Sequence, residues 1–379
     1  MTQVLRQAVS FDRQPLKSDL LDAAIRCDTP RLLYSSRRIS ENCRRFVDIS
    51  TAIFSDLASY YFSLKTAHFL PLLNKIAGHG IGAEVICAKE LSSAVKTGFE
   101  SIILDGPVKS DGLLDEAMKH GCRLICIDGL AQINAIERIA AERGQIQDIS
   151  VRLKVEPGRR LGIGLDDLAR LQHSLKQSCY VRFRGFHIHP GSNLDDEPCI
   201  AAYRRLLTAE RRSRALGITP ELRNIGSGFP TFSDDPDAVE RRLGRIAEMS
   251  RDSLPVVIEP GRPLVGDAAV LSAMVTQVRQ YERLCLVDTA VTIINGPCAA
   301  TPQLFHWSSK DGSLTPVHLR QSGEGWRLGG IWPAEADMIR VDFTLPPAPG
   351  DRMIWGQAGA YSLGFQYEFS LNDFAPELI

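Results

Sequence analysis

"YYFSLKTA", residues 60–67, is an aromatic and aliphatic run of strand length that ends on a lysine. Such a run reads as a buried strand, and an ammonium at its end is costly unless it is paired or neutralised. A lysine just outside a barrel, snorkelling to water, is the plain alternative for Lys65. The same pattern recurs at GAEVI (82–86), SIIL (101–104), RLICI (123–127), SVRLKV (150–155), RFRGFHI (182–188), LRNI (222–225) and PVVIE (255–259). Helical periodicity runs over 68–80, 88–98, 111–121, 130–144, 198–217 and 236–252, and several of these stretches stop at glycine. Eight strands separated by helices predict a (β/α)8 barrel over residues 36–265.

The remainder, residues 1–35 and 266–379, is rich in short β-like runs (AVLSAMVTQVRQ, RLCLVD, MIRVDFTL, RMIWG) divided by Gly, Pro and Asp. It predicts a second, mainly antiparallel β domain. Two domains also suit a chain of 379 residues.

With 44% hydrophobic and 23% charged residues and a net charge of −1, the composition is that of an ordinary globular protein. It excludes disordered, fibrous and membrane classes and carries no electrostatic signature for nucleic acid. The arginines of RRLLTAERRSR (204–214) alternate with apolar positions at helical spacing, as on a solvated helix face. No apolar run approaches the ~20 residues of a membrane span, and MTQVLRQAVSFDRQ lacks a signal-peptide core, so a cytoplasmic location is expected. Nine cysteines, from Cys27 to Cys298 and without a CxxC pair, fit reduced thiols better than a disulfide frame or a zinc site. No metal is expected.

In such barrels the active site lies at the C-terminal ends of the strands. There the chain places Lys65, Glu84, His187 and His189 with Pro190-Gly191-Ser192, then GSGFP (226–230) and EPGR (259–262). Gly226-Ser227-Gly228 lets backbone amides approach an anion, and Arg262 offers a planar fork; with Ser192 on the same rim they predict a phosphate site, although a tight turn alone also explains GSG. A phosphorylated ligand beside a lysine of lowered pKa predicts Schiff-base chemistry. The cofactor that combines phosphate and aldehyde is pyridoxal 5′-phosphate, whose pyridinium nitrogen needs a carboxylate, here Glu259. His189 would offer a flat face to the ring. A strand-end salt bridge for Glu259 and a core histidine for His189 are the plain alternatives. A metal hydrolase built on His187-x-His189 lacks an evident Asp and Lys complement at the strand ends.

These motifs resemble the fold-type III pyridoxal-phosphate enzymes, the alanine racemase-like group that includes diaminopimelate, ornithine and arginine decarboxylases. YYFSLKTAHFLPLLNKIAGHGIGAEVICAKELSSAVKTGF is similar to their lysine-bearing first unit, FRGFHIHPGSN to their histidine strand, IGSGFP to their phosphate loop and IEPGR to their glutamate motif. The resemblance implies Lys65 as the Schiff-base residue, His189 stacked on the ring and Glu259 on the pyridine nitrogen. It puts Ser192, Gly226, Ser227, Gly228, Gly261 and Arg262 on the phosphate, along with Tyr361 of WGQAGAYSLGF. It further implies decarboxylation through a quinonoid intermediate in a homodimer with shared sites.

One motif departs. The family carries GPxC followed by an acid, whereas GGIWPAEADMI (329–339) places Pro333 at the cysteine and Ala334 at the acid. Proline donates no proton, so Glu335, Asp337 or the freed Lys65 amine become the candidate acids, and Cys298 of NGPCAATP lies too early in the chain. An atypical amino acid or conjugate from specialised metabolism, such as a siderophore intermediate, is the substrate expected. A racemase is the nearest alternative; a non-catalytic cofactor carrier is another.

Overall fold

The computed structural model describes residues 18–192, 195–250, 252–291, 303–320, 322–363 and 376–379. After β1 (Arg31–Tyr34), each of the eight runs read from the sequence supplies one parallel strand. These are β2 (Ala58–Ser63), β3 (Gly82–Val85), β4 (Ile102–Leu104), β5 (Leu124–Ile127), β6 (Gln147–Arg152), β7 (Val181–His187), β8 (Leu222–Asn224) and β9 (Val256–Ile258). β2 pairs with β3 on one side and with β9 on the other, which closes the barrel.

The runs are continuously apolar because the strands are buried on both faces. Tyr61, Ile103, Leu124, Leu222 and Val257 fill the interior, while Phe62, Ala83, Leu104 and Ile125 pack outward under the helices.

The predicted helical stretches hold α3 (Leu70–Ala77), α4 (Ala88–Thr97), α5 (Asp111–Lys119), α6 (Ala131–Arg143), α8 (Asp196–Ala215) and α9 (Ala238–Met249). The sequence does not predict α1 (Ser18–Arg26), α2 (Ser36–Phe54) or α7 (Leu168–Lys176). α7 buries only Leu168 and Leu171, too thin a stripe to register as periodic. α2 buries Ser40, Asn42 and Ser50 among its apolar residues, which blurs its pattern; the Ser35 side chain caps it by accepting from Arg38 N.

The second sheet takes β1 with β10 (Ala269–Arg279), β11 (Leu284–Val287), β12 (Gln303–Trp307), β13 (Leu314–Arg320), β14 (Trp326–Gly329), β15 (Met338–Phe343), β16 (Arg352–Gly356) and β17 (Pro376–Leu378). Its pairs are antiparallel except β1–β17 and β11–β14. The early half of β10 pairs with β1 and β16 and its later half with β11, with a bulge between Val275 and Gln277 that turns the strand. The sheet thereby curls until β11 meets both β14 and β10.

Asp267, just before β10, holds the sheet to the barrel: it accepts from Arg38 at 2.6 Å and from Asn42 at 2.7 Å on α2. The short α10 (Arg262–Val265) links β9 to this junction. Among the described residues no helix is long and apolar enough to cross a membrane, and the described cysteines are unpaired.

Candidate active site

Lys65 sits in a single helical turn directly after β2. The parallel register pairs Ser63 with Glu84 of β3, and this brings the Glu84 carboxylate to the lysine. Lys65 Nζ donates to Glu84 Oε2 at 2.7 Å and to Ser63 Oγ at 3.0 Å, and Ser63 Oγ itself donates to the same carboxylate. Glu84 is fully buried, while 33% of the Lys65 side chain is exposed.

The sequence predicts a lowered lysine pKa; the structure shows the opposite. Burial pulls the ammonium down, but Glu84, then Asp105 and Glu259, outweigh it and hold Lys65 well above its ordinary value. Without Glu84 the amine would lose its proton at lower pH. Glu84→Gln is therefore expected to speed aldehyde capture by Lys65 at neutral pH about tenfold, the equivalent of one pKa unit. Stopped-flow absorbance measures it, and an unchanged rate would place the controlling charge elsewhere.

Opposite the lysine, the strand ends build a glycine-lined rim that could cradle an anion. Gly228 has φ 105°, and a side chain there would bring Cβ to 2.4 Å from Gly191 O, so the loop after β8 closes only with glycine. At Gly261 a Cβ would lie 2.3 Å from Thr66 Oγ1, so this backbone approaches the lysine turn as no larger residue permits. Ser192, Ser227 and Arg262 add side-chain donors to the same cavity. The Arg262 guanidinium lies 5.2 Å from the Tyr361 ring centre, a cation–π distance, and Tyr361 N donates to Thr66 O at 2.6 Å.

The cavity measures about 310 Å³, solvent at its mouth included. Lys65, His189 and Glu259 line it together with these groups; Gly226 lies behind, its N donating to Asn224 Oδ1 and its O accepting from Glu259 N. Ser63 and Phe229 also line it and were not singled out from sequence. Ser63 is brought there by the register that sets it opposite Glu84, which no single run of sequence contains.

His189 Nδ1 accepts from Ser227 N at 3.4 Å. Burial, then the charges of Lys65 and Arg152, pulls its imidazole down to about 3, so the ring is neutral. Glu259 is the reverse case. Burial, then the neighbouring Glu84 and Asp105 carboxylates, pushes it up to about 8, and it keeps its proton at neutral pH. Asn224 Nδ2 donates to Glu259 Oε1 at 2.6 Å.

His187 and His189 do not act as a pair: His189 lines the cavity, whereas His187 is buried in the barrel interior against Cys126. Asp105, Cys126 and His187 bring ligand-type atoms within 4.8 Å of one another. Arg152 lies 3.7 Å from the other Asp105 oxygen, and its charge opposes a metal cation there.

A captive amine, an anion cradle with a guanidinium, a flat neutral ring and a protonated acid share one cavity. That donor set fits pyridoxal 5′-phosphate: the cradle would take a phosphate, the amine an aldehyde and the acid a ring nitrogen.

The departing segment, 329–339, joins β14 to β15. Pro333, Ala334 and Glu335 are exposed, and neither they nor Asp337 line this cavity. Asp337 is buried and braces the turn, accepting from Val291 N at 2.8 Å and Trp332 N at 3.0 Å. Its backbone N–H also donates to Ala334 O. Cys298 lies outside the described residues.

Residues 37–266 match the family model described as "Pyridoxal-dependent decarboxylase, pyridoxal binding domain". The chain is 24% identical over 374 residues to the diaminopimelate decarboxylase of Neisseria meningitidis serogroup A, covering 93% of this chain and 89% of that one. It is likewise 24% identical over 374 residues to an L-glutamyl-[BtrI acyl-carrier protein] decarboxylase of Niallia circulans, covering 90% and 86%. In fold it is similar to the crystal structure of Helicobacter pylori diaminopimelate decarboxylase complexed with L-lysine, with TM-score 0.79 and 20% identity over 92% of this chain and 91% of that one. These relatives are decarboxylases, which disfavours the racemase alternative. The chain belongs to the pyridoxal-dependent decarboxylases and is a carboxy-lyase whose cofactor is pyridoxal 5′-phosphate.

Proposed function

We propose that this decarboxylase acts on an amino acid whose far end is not a free ammonium, either acylated or joined to a carrier, with Lys65, His189 and Glu259 at the reacting centre. The observation that carries the assignment of roles is that Lys65 and Glu259 face one cavity, the amine held by Glu84 and the acid by Asn224. Pyridoxal 5′-phosphate, when bound, supplies an aldehyde for a lysine amine and a ring that draws electrons from the substrate α-carbon.

Ser192, Ser227, Arg262, Tyr361 and the backbone at Gly228 and Gly261 would hold the phosphate, with Gly226, whose N–H and C=O are already taken, behind them. Glu259 would give the proton that the ring nitrogen requires, and His189 would shield the ring from water. Lys65 Nζ, which Glu84 holds protonated, would be the group of this chain able to deliver a proton to the substrate carbon. Asp337 is tied to two backbone donors and Pro333 has none to give, which leaves Glu335 as the second candidate.

The 329–339 segment stands outside the cavity of its own chain, and we read it as completing the cavity of a second copy in a two-fold homodimer. The unpaired described cysteines support a cytoplasmic location. Mixing a Lys65→Ala chain with one carrying Glu335→Ala and Pro333→Gly is expected to restore a fraction of turnover in heterodimers. Full activity from a dilute monomer would remove the shared-site reading.

Two observations support the substrate. Ala334 stands where the family carries an acid, and one relative acts on a glutamyl group borne by a carrier protein. The test follows carbon dioxide release and mass loss from diaminopimelate, lysine and ornithine against glutamyl thioesters and N-acylated amino acids. The conjugates are expected to win by at least about tenfold in kcat/KM, the scale set by leaving a charged end unpaired. Preference for a free diamino acid would overturn the proposal.

A further inference from the structure

The barrel floor beneath Glu259 holds a buried pair that the reaction itself does not use. His187, at the end of β7, is fully buried; its Nδ1 lies 2.9 Å from Cys126 Sγ of β5, and its Nε2 lies 3.7 Å from Glu259 Oε2. Two bare lone pairs do not sit at 2.9 Å, so one of the first two atoms carries a hydrogen. Sulfur accepts weakly and an imidazole nitrogen accepts well, so the thiol is the donor and Nδ1 the acceptor. The ring proton then resides on Nε2, a buried atom without a hydrogen-bond partner that faces the Glu259 carboxyl.

We propose that Cys126 and His187 are positioning residues for Glu259: the Cys126 thiol fixes the His187 tautomer, and the Nε2–H so placed stabilises Glu259 once that acid has given up its proton. This rests on the assignment of Glu259 to the cofactor ring nitrogen.

Other charges around His187 pull in both directions. Asp105 Oδ1, 3.8 Å from Nδ1, favours a proton on Nδ1, so without the thiol the tautomer should reverse. Arg152, Lys65 and Lys109, with burial, keep the ring from taking a second proton, and burial with Asp105 keeps the Cys126 thiol from ionising. The ring is thus a neutral dipole whose direction one thiol decides. Glu84 bears on Glu259 as a further like charge, and it is the loss of a proton against this field that the Nε2–H would offset.

The test uses full-length protein labelled with ¹⁵N-histidine, with cofactor removed and with cofactor bound, in the wild type, Cys126→Ala, Cys126→Ser and His187→Gln. In the stripped wild type His187 is expected to show a protonated Nε2 and a bare Nδ1. Cys126→Ala should move the proton to Nδ1 and weaken cofactor binding about tenfold, the lower end of what outer partners contribute to metal ligands. It should also shift the pH midpoint of the bound cofactor's absorption by about one unit. Cys126→Ser, which retains a donor, should restore both, and His187→Gln, whose amide can still donate to Glu259, should lose less than Cys126→Ala.

A wild-type ring protonated on Nδ1 would overturn the proposal. So would a Cys126→Ala protein with unchanged tautomer and cofactor titration. If the cofactor titration moves equally in Cys126→Ala and Cys126→Ser, the effect is one of packing and the proposal also fails. Because the tautomer is read without cofactor, an error in the role given to Glu259 would show separately, as a Glu259→Gln protein whose cofactor absorption titrates like the wild type.

Discussion

Lys65→Ala is expected to fold, to bind pyridoxal 5′-phosphate only loosely and to lose at least about 10⁴-fold in kcat, the scale of removing a covalent nucleophile. The expectation follows from the surroundings of the amine. Its partner Glu84 is wholly buried, so deleting the ammonium leaves a buried carboxylate without its cation. Ser63 Oγ still donates to it, which limits the damage to the fold. Turnover has no such substitute, since no other lysine lines the cavity among the described residues. Equilibrium dialysis with cofactor, a thermal melt and carbon dioxide release separate the three effects; a Lys65→Ala enzyme with more than a few per cent of wild-type turnover would remove the lysine from the reaction.

Glu259→Gln should tell a different story. The amide keeps the volume and can accept from Asn224, and since Glu259 is already uncharged at neutral pH the fold loses little, within about 1 kcal/mol. What the amide cannot do is give its proton to a ring nitrogen, so turnover should fall about 10²- to 10³-fold with cofactor still bound.

Stability carries a signed signature as well. The native acid holds its proton up to about 8, whereas an unfolded one releases it above 4.5. Over that window the native state binds more protons than the unfolded state, so this group lowers stability as pH rises. Gln lacks the effect. Melting of the cofactor-free proteins should therefore show the variant gaining on the wild type from about pH 5 to 8; a constant difference would mean that Glu259 is ionised in the native cavity.

Much of this was legible because parallel barrel strands are continuous apolar runs and the residue after each run faces the mouth. Lys65, His189 and Glu259 stand in such places, and the structure shows that Gly228 and Gly261 could not accept a Cβ. The protonation of the site was not legible. Lys65 looks desolvated in a linear reading, and only the register of Ser63 with Glu84 shows the carboxylate that reverses the sign of its shift.

Asp337 misleads for a similar reason: as an acid beside the missing cysteine it looks available, yet it is spent on the amides of Val291 and Trp332, the first of them 46 residues away in sequence. Cys126 reads as a core residue and is one, but its contact with His187, 61 residues further on, is a property of the closed barrel. Contacts between strands distant in sequence decide which groups hold protons, and a single strand's pattern does not contain them.

The most direct test reduces the cofactor-loaded protein with borohydride and maps the modified peptide by mass spectrometry. A pyridoxyl-phosphate mass on Lys65, with the yellow colour lost irreversibly, is the predicted result. Modification of Lys75, Lys89 or Lys109 with Lys65 untouched would contradict it.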